Sequence, residues 1–297
     1  MKIIASVPLL ASADDREVFV PVSLQGRKKY MLLDTGGALD EITPQTQSAL
    51  GLKSTRTPNL SFYDLRGNSV DHATVVPDFA IGNLIGHNVG FVIGPDYLFP
   101  GHPEIAGVLG PGILRFYDVA VDFGARTFSL ISPDHCEGKV VFWPASTVAV
   151  IPMQVVKSSG HIIVSVTLDG RRINALLDTG AFTTMLSITA ARNELGVELP
   201  VMLRFQRRVM PYRYKFASLD FGGVTVANPV VNIIPGLGRA PAALSPAGTR
   251  IPDGETEHLP DMLIGMDILR HLHLYIAYRE QKLYVTPSSA PPTALFK

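Results

Sequence analysis

The segments "MLLDTGGALD" (31–40) and "ALLDTGAFTT" (175–184) contain the same five residues, Leu-Leu-Asp-Thr-Gly, once in each half of a 297-residue chain. A single Asp-Thr-Gly is a weak signal, because aspartate and glycine are common in turns. Two copies that follow the same apolar pair indicate an internal duplication, which would decide the fold of the whole chain.

The similarity extends on both sides of the two triplets. Segments 7–36 and 151–180 align without a gap, and eleven of the thirty positions are identical. A second block repeats near the end of each half, where "GVLGPGILRFYDVAVDFGARTFSL" (107–130) matches "MLIGMDILRHLHLYIAYREQKLYV" (262–285). Each half therefore has the same order: strands, Asp-Thr-Gly, a variable stretch, strands, an apolar-apolar-Gly segment and a final strand pair.

The local pattern in both halves is mostly β. "EVFVPVSL" and "HIIVSVTL" are rich in β-branched residues and partly alternate, and the glycines of "LQGRKKY" and "LDGRRIN" predict hairpin turns. Short helices are predicted at 43–52, with Thr43 as N-cap and Pro44 in the first position, and at 187–197. "GILRFY" and "MDILRHL" each predict a turn or two of helix. The Gly-, Pro- and Ala-rich stretch 237–257 is predicted to be an exposed loop.

Composition limits the function classes. Hydrophobic residues make up 46% of the chain, which is enough for a core, and 26 basic residues balance 26 acidic ones. A nucleic-acid partner is not expected, because such proteins usually carry a basic excess. No apolar run reaches the roughly 18 residues that would predict a membrane span. The single cysteine, Cys136, excludes a disulfide within the chain.

Each half resembles a subunit of the retropepsin-like aspartic peptidases. The resemblance is based on Leu32-Leu33-Asp34-Thr35-Gly36 with Val108-Leu109-Gly110, and on Leu176-Leu177-Asp178-Thr179-Gly180-Ala181 with Leu263-Ile264-Gly265. It implies an all-β fold of two pseudo-twofold-related β-barrel lobes, like pepsin, with a few short helices. The expected division is an N-terminal lobe at 1–135, a linker at 136–150, a C-terminal lobe at 151–287 and a mobile tail at 288–297.

The resemblance also implies the site and its chemistry. Asp34 and Asp178 would form a catalytic pair that shares one proton, because two adjacent carboxylates cannot both ionise cheaply. The ionised member would activate a water, and the protonated member would stabilise the oxyanion, with no metal or cofactor. Thr35 and Thr179 would brace the two loops from behind, and Gly36 and Gly180 would permit their close approach.

Two hairpins would cover the bound peptide as flaps. The first is predicted at 60–75, with Tyr63 and Gly67 as substrate-binding residues, and the second at 203–216, with Met210 and Tyr212. Two-lobed relatives often have a hydroxyl after the triplet, but here Gly37 and Ala38 follow the first copy and Ala181 follows the second. This absence predicts a weakly acidic pH optimum rather than a strongly acidic one.

The sequence therefore predicts a monomeric aspartic endopeptidase that hydrolyses a peptide or protein substrate in a cleft between two lobes. The alternative is a non-catalytic peptide- or protein-binding module on the same fold, and a further one is hydrolysis of a non-protein amide or ester. His271 and His273 alternate on a strand, but no third ligand at suitable spacing supports a metal site. Relatives in this general group are often exported, which favours a periplasmic or secreted location by resemblance alone.

Overall fold

The strands of the two halves follow one plan. The computed structural model describes residues 1–57, 69–145, 147–199, 211–235 and 260–288, and the backbone alone at 62–64 and 249–250. The strands of the first half are β1 (Ile3–Pro8), β2 (Leu10–Ala11), β3 (Val18–Leu24), β4 (Arg27–Leu33), β5 (Glu41–Ile42), β6 (Thr55–Arg56), β7 (Phe62–Asp64), β8 (Ser69–Val70), β9 (His72–Ile81), β10 (Leu84–Ile93), β11 (Ile105–Leu109), β12 (Asp118–Asp122) and β13 (Thr127–Ile131).

The second half repeats this plan. Its strands are β14 (Ala149–Val155), β15 (Ile162–Leu168), β16 (Arg171–Leu177), β17 (Met185–Ser187), β18 (Tyr212–Lys215), β19 (Ser218–Asp220), β20 (Thr225–Ala227), β21 (Val230–Ile234), β22 (Thr249–Arg250), β23 (Met262–Ile264), β24 (Leu272–Ala277) and β25 (Lys282–Pro287). Short helices occupy equivalent places in the two halves: α1 (Pro44–Ala49) and α2 (Pro111–Leu114) in the first, α3 (Ile188–Asn193) and α4 (Met266–Leu269) in the second.

One sheet crosses both halves. Its strand order is β1-β13-β12-β24-β25-β14-β15-β16-β23-β17-β21-β18, and the halves meet where β12 pairs antiparallel with β24. A second sheet in the first half has the order β2-β3-β4-β11-β5-β10-β9-β6. The all-β two-lobed architecture predicted from the sequence is therefore confirmed.

Alternating burial explains why these segments form strands. Along β15, Val164, Val166 and Leu168 point into the core, and the residues between them are partly exposed. Both predicted hairpin turns are also present. Gln25 and Gly26 lie between β3 and β4 with φ of 49° and 76°, a left-handed conformation that glycine adopts without strain.

The predicted helices are present but shorter than expected. Thr43 caps α1 by accepting a hydrogen bond from the Thr46 N–H at 3.1 Å, and Pro44 is its first residue. The helix ends at Ala49, because Gly51 has a left-handed φ of 63° that terminates it. In the same way α3 stops three residues before Gly196, whose φ is 65°.

Part of the 237–257 stretch was predicted wrongly. Thr249 and Arg250 are not in an exposed loop but form β22, which pairs with β7 of the first half, opposite Asp64 and Tyr63. Backbone hydrogen bonding to an available strand edge explains the difference, because such pairing needs no particular side-chain pattern. The second half thus contributes a strand to the first hairpin.

Polar contacts stabilise the place where the halves meet. The buried His135 Nε2 lies 2.5 Å from Asp118 Oδ2, which also accepts a hydrogen bond from the Tyr275 hydroxyl at 3.1 Å. Trp143 stacks on His273 with their ring centroids 3.8 Å apart. The segment between β13 and β14 is therefore attached to the shared sheet by side chains.

The end of the described chain is also bound to this junction. The Ser288 hydroxyl donates to Asp122 Oδ1 at 2.9 Å and accepts from the Gly124 N–H at 2.7 Å. Ser288, the first residue of the predicted tail, is thus hydrogen-bonded to the junction of the halves. Among the described residues, no helix is long and apolar enough to cross a membrane.

Candidate active site

Asp34 and Asp178 each come directly after a strand that is fixed on one side by a parallel neighbour. Leu33 of β4 pairs with Leu109 of β11, and the Asp34 N–H donates to the Leu109 carbonyl at 3.0 Å. In the second half β16 runs parallel to β23, and the Asp178 N–H donates to the Ile264 carbonyl at 3.0 Å. The backbone of each aspartate is therefore held by the strand that carries the apolar-apolar-Gly segment.

The glycine that follows each of these neighbouring strands lets the loop pass closely over it. A Cβ on Gly110 would lie 2.3 Å from the Leu39 carbonyl oxygen, and a Cβ on Gly265 would lie 2.6 Å from the Thr183 carbonyl carbon. Neither contact is sterically possible, so only glycine fits. This explains why the apolar-apolar-Gly segment recurs with each triplet.

The two threonines connect the loops through four hydrogen bonds. The Thr35 hydroxyl donates to the Leu177 carbonyl at 2.7 Å and accepts from the Thr179 N–H at 3.1 Å. The Thr179 hydroxyl reciprocally donates to the Leu33 carbonyl at 2.8 Å and accepts from the Thr35 N–H at 3.1 Å. Both threonines are buried. The loops from the two halves are thus joined symmetrically behind the aspartates.

The two carboxyl groups lie against each other and share a hydrogen bond. Asp34 Oδ1 also accepts from the N–H groups of Gly36 and Gly37, at 2.9 and 2.7 Å. Asp178 Oδ1 accepts from Gly180 at 2.8 Å and from the next residue at 3.1 Å. Both side chains are buried, at 1% and 6% exposure of the residue. The sequence-predicted pair is therefore brought together across the pseudo-twofold axis.

The glycines of the two triplets fit against the aspartate of the other half. A Cβ on Gly36 would lie 2.2 Å from Asp178 Cγ, and a Cβ on Gly180 would lie 2.4 Å from Asp34 Cγ. Any side chain at either position would displace the carboxyl group opposite. The need for glycine is thus imposed by the partner loop, which local sequence does not reveal.

Burial raises the pKa of both carboxyl groups of the pair. Burial raises the pKa of Asp34 to about 6, although hydrogen bonds from Gly37, Gly36 and Asp178 lower it. Burial raises the pKa of Asp178 well above its usual range, and the charge of Asp34 raises it further. The two carboxyl groups therefore favour carrying one proton between them, as a coupled pair.

A histidine near the first triplet was not predicted. His161, in the turn before β15, lies close enough to the Gly36 carbonyl for that group to raise its pKa, but burial has the larger effect and lowers it. Its Nε2 is buried without a hydrogen-bond partner of good geometry. The aligned position in the first half is Glu17, so the two repeats differ in charge here, which could have singled the position out.

The predicted flap residues are described only in part. Tyr63 lies in β7 with its backbone paired to Ser69 and Arg250. Tyr212 begins β18, is half-buried and packs against the core of the second half. Gly67 and Met210 lie outside the described residues.

The histidines at 271 and 273 and the single cysteine lie outside the candidate active site. No group of histidine, cysteine or carboxylate side chains in the described part of the chain could hold a metal ion. His273 faces Asp122 at 3.4 Å and stacks on Trp143, so its contacts are those of a packed residue. The Cys136 thiol is exposed.

Comparisons with known proteins agree with the predicted family and fold. The model of a family described as "Aspartyl protease" matches residues 20–112 and 164–268, one segment in each half and together more than half of the chain. No curated protein matches the sequence.

Solved structures share the fold at low sequence identity. An aspartic proteinase from Irpex lacteus aligns with 13% identity and a TM-score of 0.54, covering 96% of this chain and 97% of its own. Conglutin gamma, a basic 7S globulin from lupine seeds, aligns with 11% identity and a TM-score of 0.52, covering 96% of this chain and 95% of its own. Basic 7S globulin from soybean aligns with 9% identity and a TM-score of 0.50, covering 98% of this chain and 96% of its own. The fold thus occurs in proteins named as a proteinase and as globulins. By the family model, which matches both repeats, this chain belongs to the aspartyl protease family.

Proposed function

We propose that this protein is an aspartic endopeptidase that hydrolyses peptide bonds with the Asp34–Asp178 pair. The observation that supports the proposal is the buried contact between these two carboxyl groups, each oriented by two backbone N–H groups. A structural turn would not require two acids in contact, because burying a second carboxyl beside the first is unfavourable unless they share a proton.

In the proposed mechanism the two aspartates have different roles. Asp34, whose pKa burial raises to about 6, is the general base that takes a proton from the attacking water. Asp178, which keeps its proton, donates a hydrogen bond to the substrate carbonyl oxygen as negative charge develops on it. Thr35, Thr179 and the triplet glycines do not react, and they hold the carboxyl groups at a fixed separation.

The same assignment predicts the pH dependence. The acid limb of kcat/KM reports ionisation of the base in the free enzyme, so activity should fall as the pH drops below about 6, the pKa of Asp34. This agrees with the weakly acidic optimum expected from the sequence. A maximum in the strongly acidic range would contradict the assignment.

The remaining features of the proposal follow from the fused architecture. A peptide would bind as an extended strand beneath the flaps, where Tyr63, Gly67, Met210 and Tyr212 are proposed to contact it. The lobes are proposed to divide at the 136–150 linker. A monomer should be active, because one chain supplies both aspartates.

The test is cleavage of a diverse peptide library by the full chain and by Asp34→Asn and Asp178→Asn. Either change should reduce kcat/KM by at least about 10³-fold, since it removes the base or the acid. Asp78→Asn is a matched control, because the Asp78 side chain is exposed and contacts the exposed His87. It should leave turnover unchanged.

The result also separates the alternatives. Peptides that bind the wild type and both variants equally, with no cleavage by any of them, would establish a binding module instead. Cleavage that persists in Asp34→Asn would show that this pair is not the catalytic centre.

A further inference from the structure

The two halves carry an acid at the same place behind the catalytic loops, buried Asp40 in the first and half-buried Asp267 in the second, but on opposite sides of the contact. Asp40 lies six residues after Asp34, and its equivalent in the second half is Thr184. Gly112 lies two residues after Gly110, and its equivalent is Asp267, two residues after Gly265. The acid is thus on the loop in the first half and on the short helix in the second.

In the second half a threonine and an aspartate make the contact together. The Thr184 hydroxyl accepts from the Gly265 N–H at 3.1 Å and donates to Asp267 Oδ1 at 2.7 Å. The same oxygen of Asp267 accepts from the Thr184 N–H at 2.8 Å. Gly265 follows Ile264, whose carbonyl holds the Asp178 N–H. The contact therefore fixes the strand end that holds the catalytic aspartate.

In the first half the Asp40 side chain alone bonds the glycine N–H and occupies the space beside the short helix. Asp40 Oδ1 accepts directly from the Gly110 N–H at 2.7 Å. Gly110 follows Leu109, whose carbonyl holds the Asp34 N–H. The second oxygen of Asp40 fills the space of the missing side chain, since a Cβ on Gly112 would lie 2.0 Å from Asp40 Oδ2.

The backbone at Gly112 does not itself require glycine. Its φ is outside the left-handed region, and the nearest obstacles to a Cβ are the two carboxyl atoms of Asp40, at 2.0 and 3.2 Å. The Asp40 side chain is therefore what excludes a larger residue at 112. Asp40 and Gly112 form a complementary pair, as Thr184 and Asp267 do.

We propose that Asp40 is a positioning residue for Asp34, and that the pair Asp40/Gly112 is interchangeable with the pair Thr184/Asp267 of the other lobe. The inference rests on the proposed function for its kinetic consequence, but the interchange itself is a property of the packing. Asp40 would act on the catalytic loop through Gly110 and the Leu109 carbonyl.

The surroundings of Asp40 support a neutral role in weak acid. Burial raises its pKa to about 7, and the charge of Asp34 contributes, whereas hydrogen bonds from Gly110 and Ile113 and the charge of Arg115 lower it. Buried Tyr278 also faces it, and its pKa is raised by burial and by Asp40. Asparagine reproduces the donor and acceptor pattern of a protonated carboxyl group, so Asp40→Asn is the conservative variant.

The experiment compares five full-length proteins: the wild type, Asp40→Thr, Gly112→Asp, the double variant with both changes, and Asp40→Asn. Urea unfolding and kcat and KM for one cleaved peptide are measured for each at weakly acidic pH. Asp40→Thr should leave its hydroxyl and the N–H of residue 40 without the acid at 112 that holds the equivalent Thr184, and Gly112→Asp should clash with Asp40. We expect each single change to lower kcat at least 10-fold with less effect on KM.

The double variant should rebuild the second-half arrangement in the first half and recover kcat to within about 3-fold of wild type. Asp40→Asn should stay within the same range. A double variant no more active and no more stable than the worse single variant would overturn the proposal. So would single variants that unfold more easily but keep full kcat when folded, because Asp40 would then be structural only.

The failure of the two ideas can be told apart. If the wild type cleaves no peptide, the proposed function fails, and the unfolding midpoints still test the interchange through the same cycle. If the wild type cleaves peptides but the double variant is not rescued, only the positioning role of Asp40 is wrong.

Discussion

Replacing Thr35 with valine should cost the protein a large part of its stability, although the two side chains have almost the same shape. The change removes a hydrogen bond to the Leu177 carbonyl and another from the Thr179 N–H. Both backbone groups are left buried without a partner, and each such group costs about 1–3 kcal/mol. We therefore expect a loss of about 2–6 kcal/mol, against a total stability of about 5–15 kcal/mol for a typical protein.

The measurement is urea unfolding followed by fluorescence, with kcat/KM determined on the folded protein. Thr35→Ser is the matched control, because it keeps the hydroxyl, and it should stay within about 1 kcal/mol of wild type. The folded valine variant should lose about 10²-fold in kcat/KM, since a displacement of about 1 Å at the catalytic groups has that effect. A valine variant as stable as the serine variant would refute the reasoning.

Three further predictions follow from contacts at the site and at the junction of the halves. Gly36→Ala should abolish activity while Gly90→Ala leaves it intact, because a Cβ at 36 would lie 2.2 Å from Asp178 Cγ and one at 90 would meet nothing within 4 Å; equal peptide turnover by the two variants would contradict this. The difference in unfolding free energy between Asp34→Asn and wild type should shift in favour of the variant by on the order of 3 kcal/mol from acidic to mildly alkaline pH. The folded-state pKa of Asp34 is raised to about 6, so the stability contributed by the protonated acid is present below its unfolded-state pKa and is lost as the pH rises through 6. Denaturation curves at both pH values measure the difference, and a difference that stays constant with pH would contradict the prediction. His135→Leu should destabilise by about 3 kcal/mol at neutral pH, because it leaves the charge of Asp118 buried beside it, and by less in acid, since burial raises the pKa of Asp118; a cost independent of pH would rule out a charge effect.

The sequence was sufficient for the parts of the fold that depend on local pattern and on the repeat. The β-branched segments, the turn at Gln25-Gly26 and the Thr43 cap express local preferences, and each is present where predicted. The contact between Asp34 and Asp178 followed from duplication together with family resemblance, because a site made from two equal halves must place equal residues at the axis.

The rest required knowledge of which segments touch. Asp40 looks like a surface turn residue in the sequence, and only the distance to Gly112 shows that it fills a space left by a missing side chain. The neighbour of His161, Gly36, lies in the other half, so only the charge difference from Glu17 in the repeat alignment distinguishes this position in the sequence. The pairing of Thr249 and Arg250 with β7 depends on backbone hydrogen bonds, which composition does not encode. Contacts between segments distant in the sequence, apart from the one at the duplicated triplets, were thus the least predictable.

The pairing of β12 with β24 lets the two halves associate through the sheet without a covalent link between them. The first strand of each half pairs within its own half, β1 with β13 and β14 with β25, so neither half borrows a strand from the other to complete this sheet. Besides its packed contacts at His135 and Trp143, the joining peptide supplies proximity, which for short flexible tethers corresponds to millimolar local concentrations. A nick at 136–138 should yield two fragments that complement each other. Their activity would rise with fragment concentration, because each fragment supplies only one of the two aspartates.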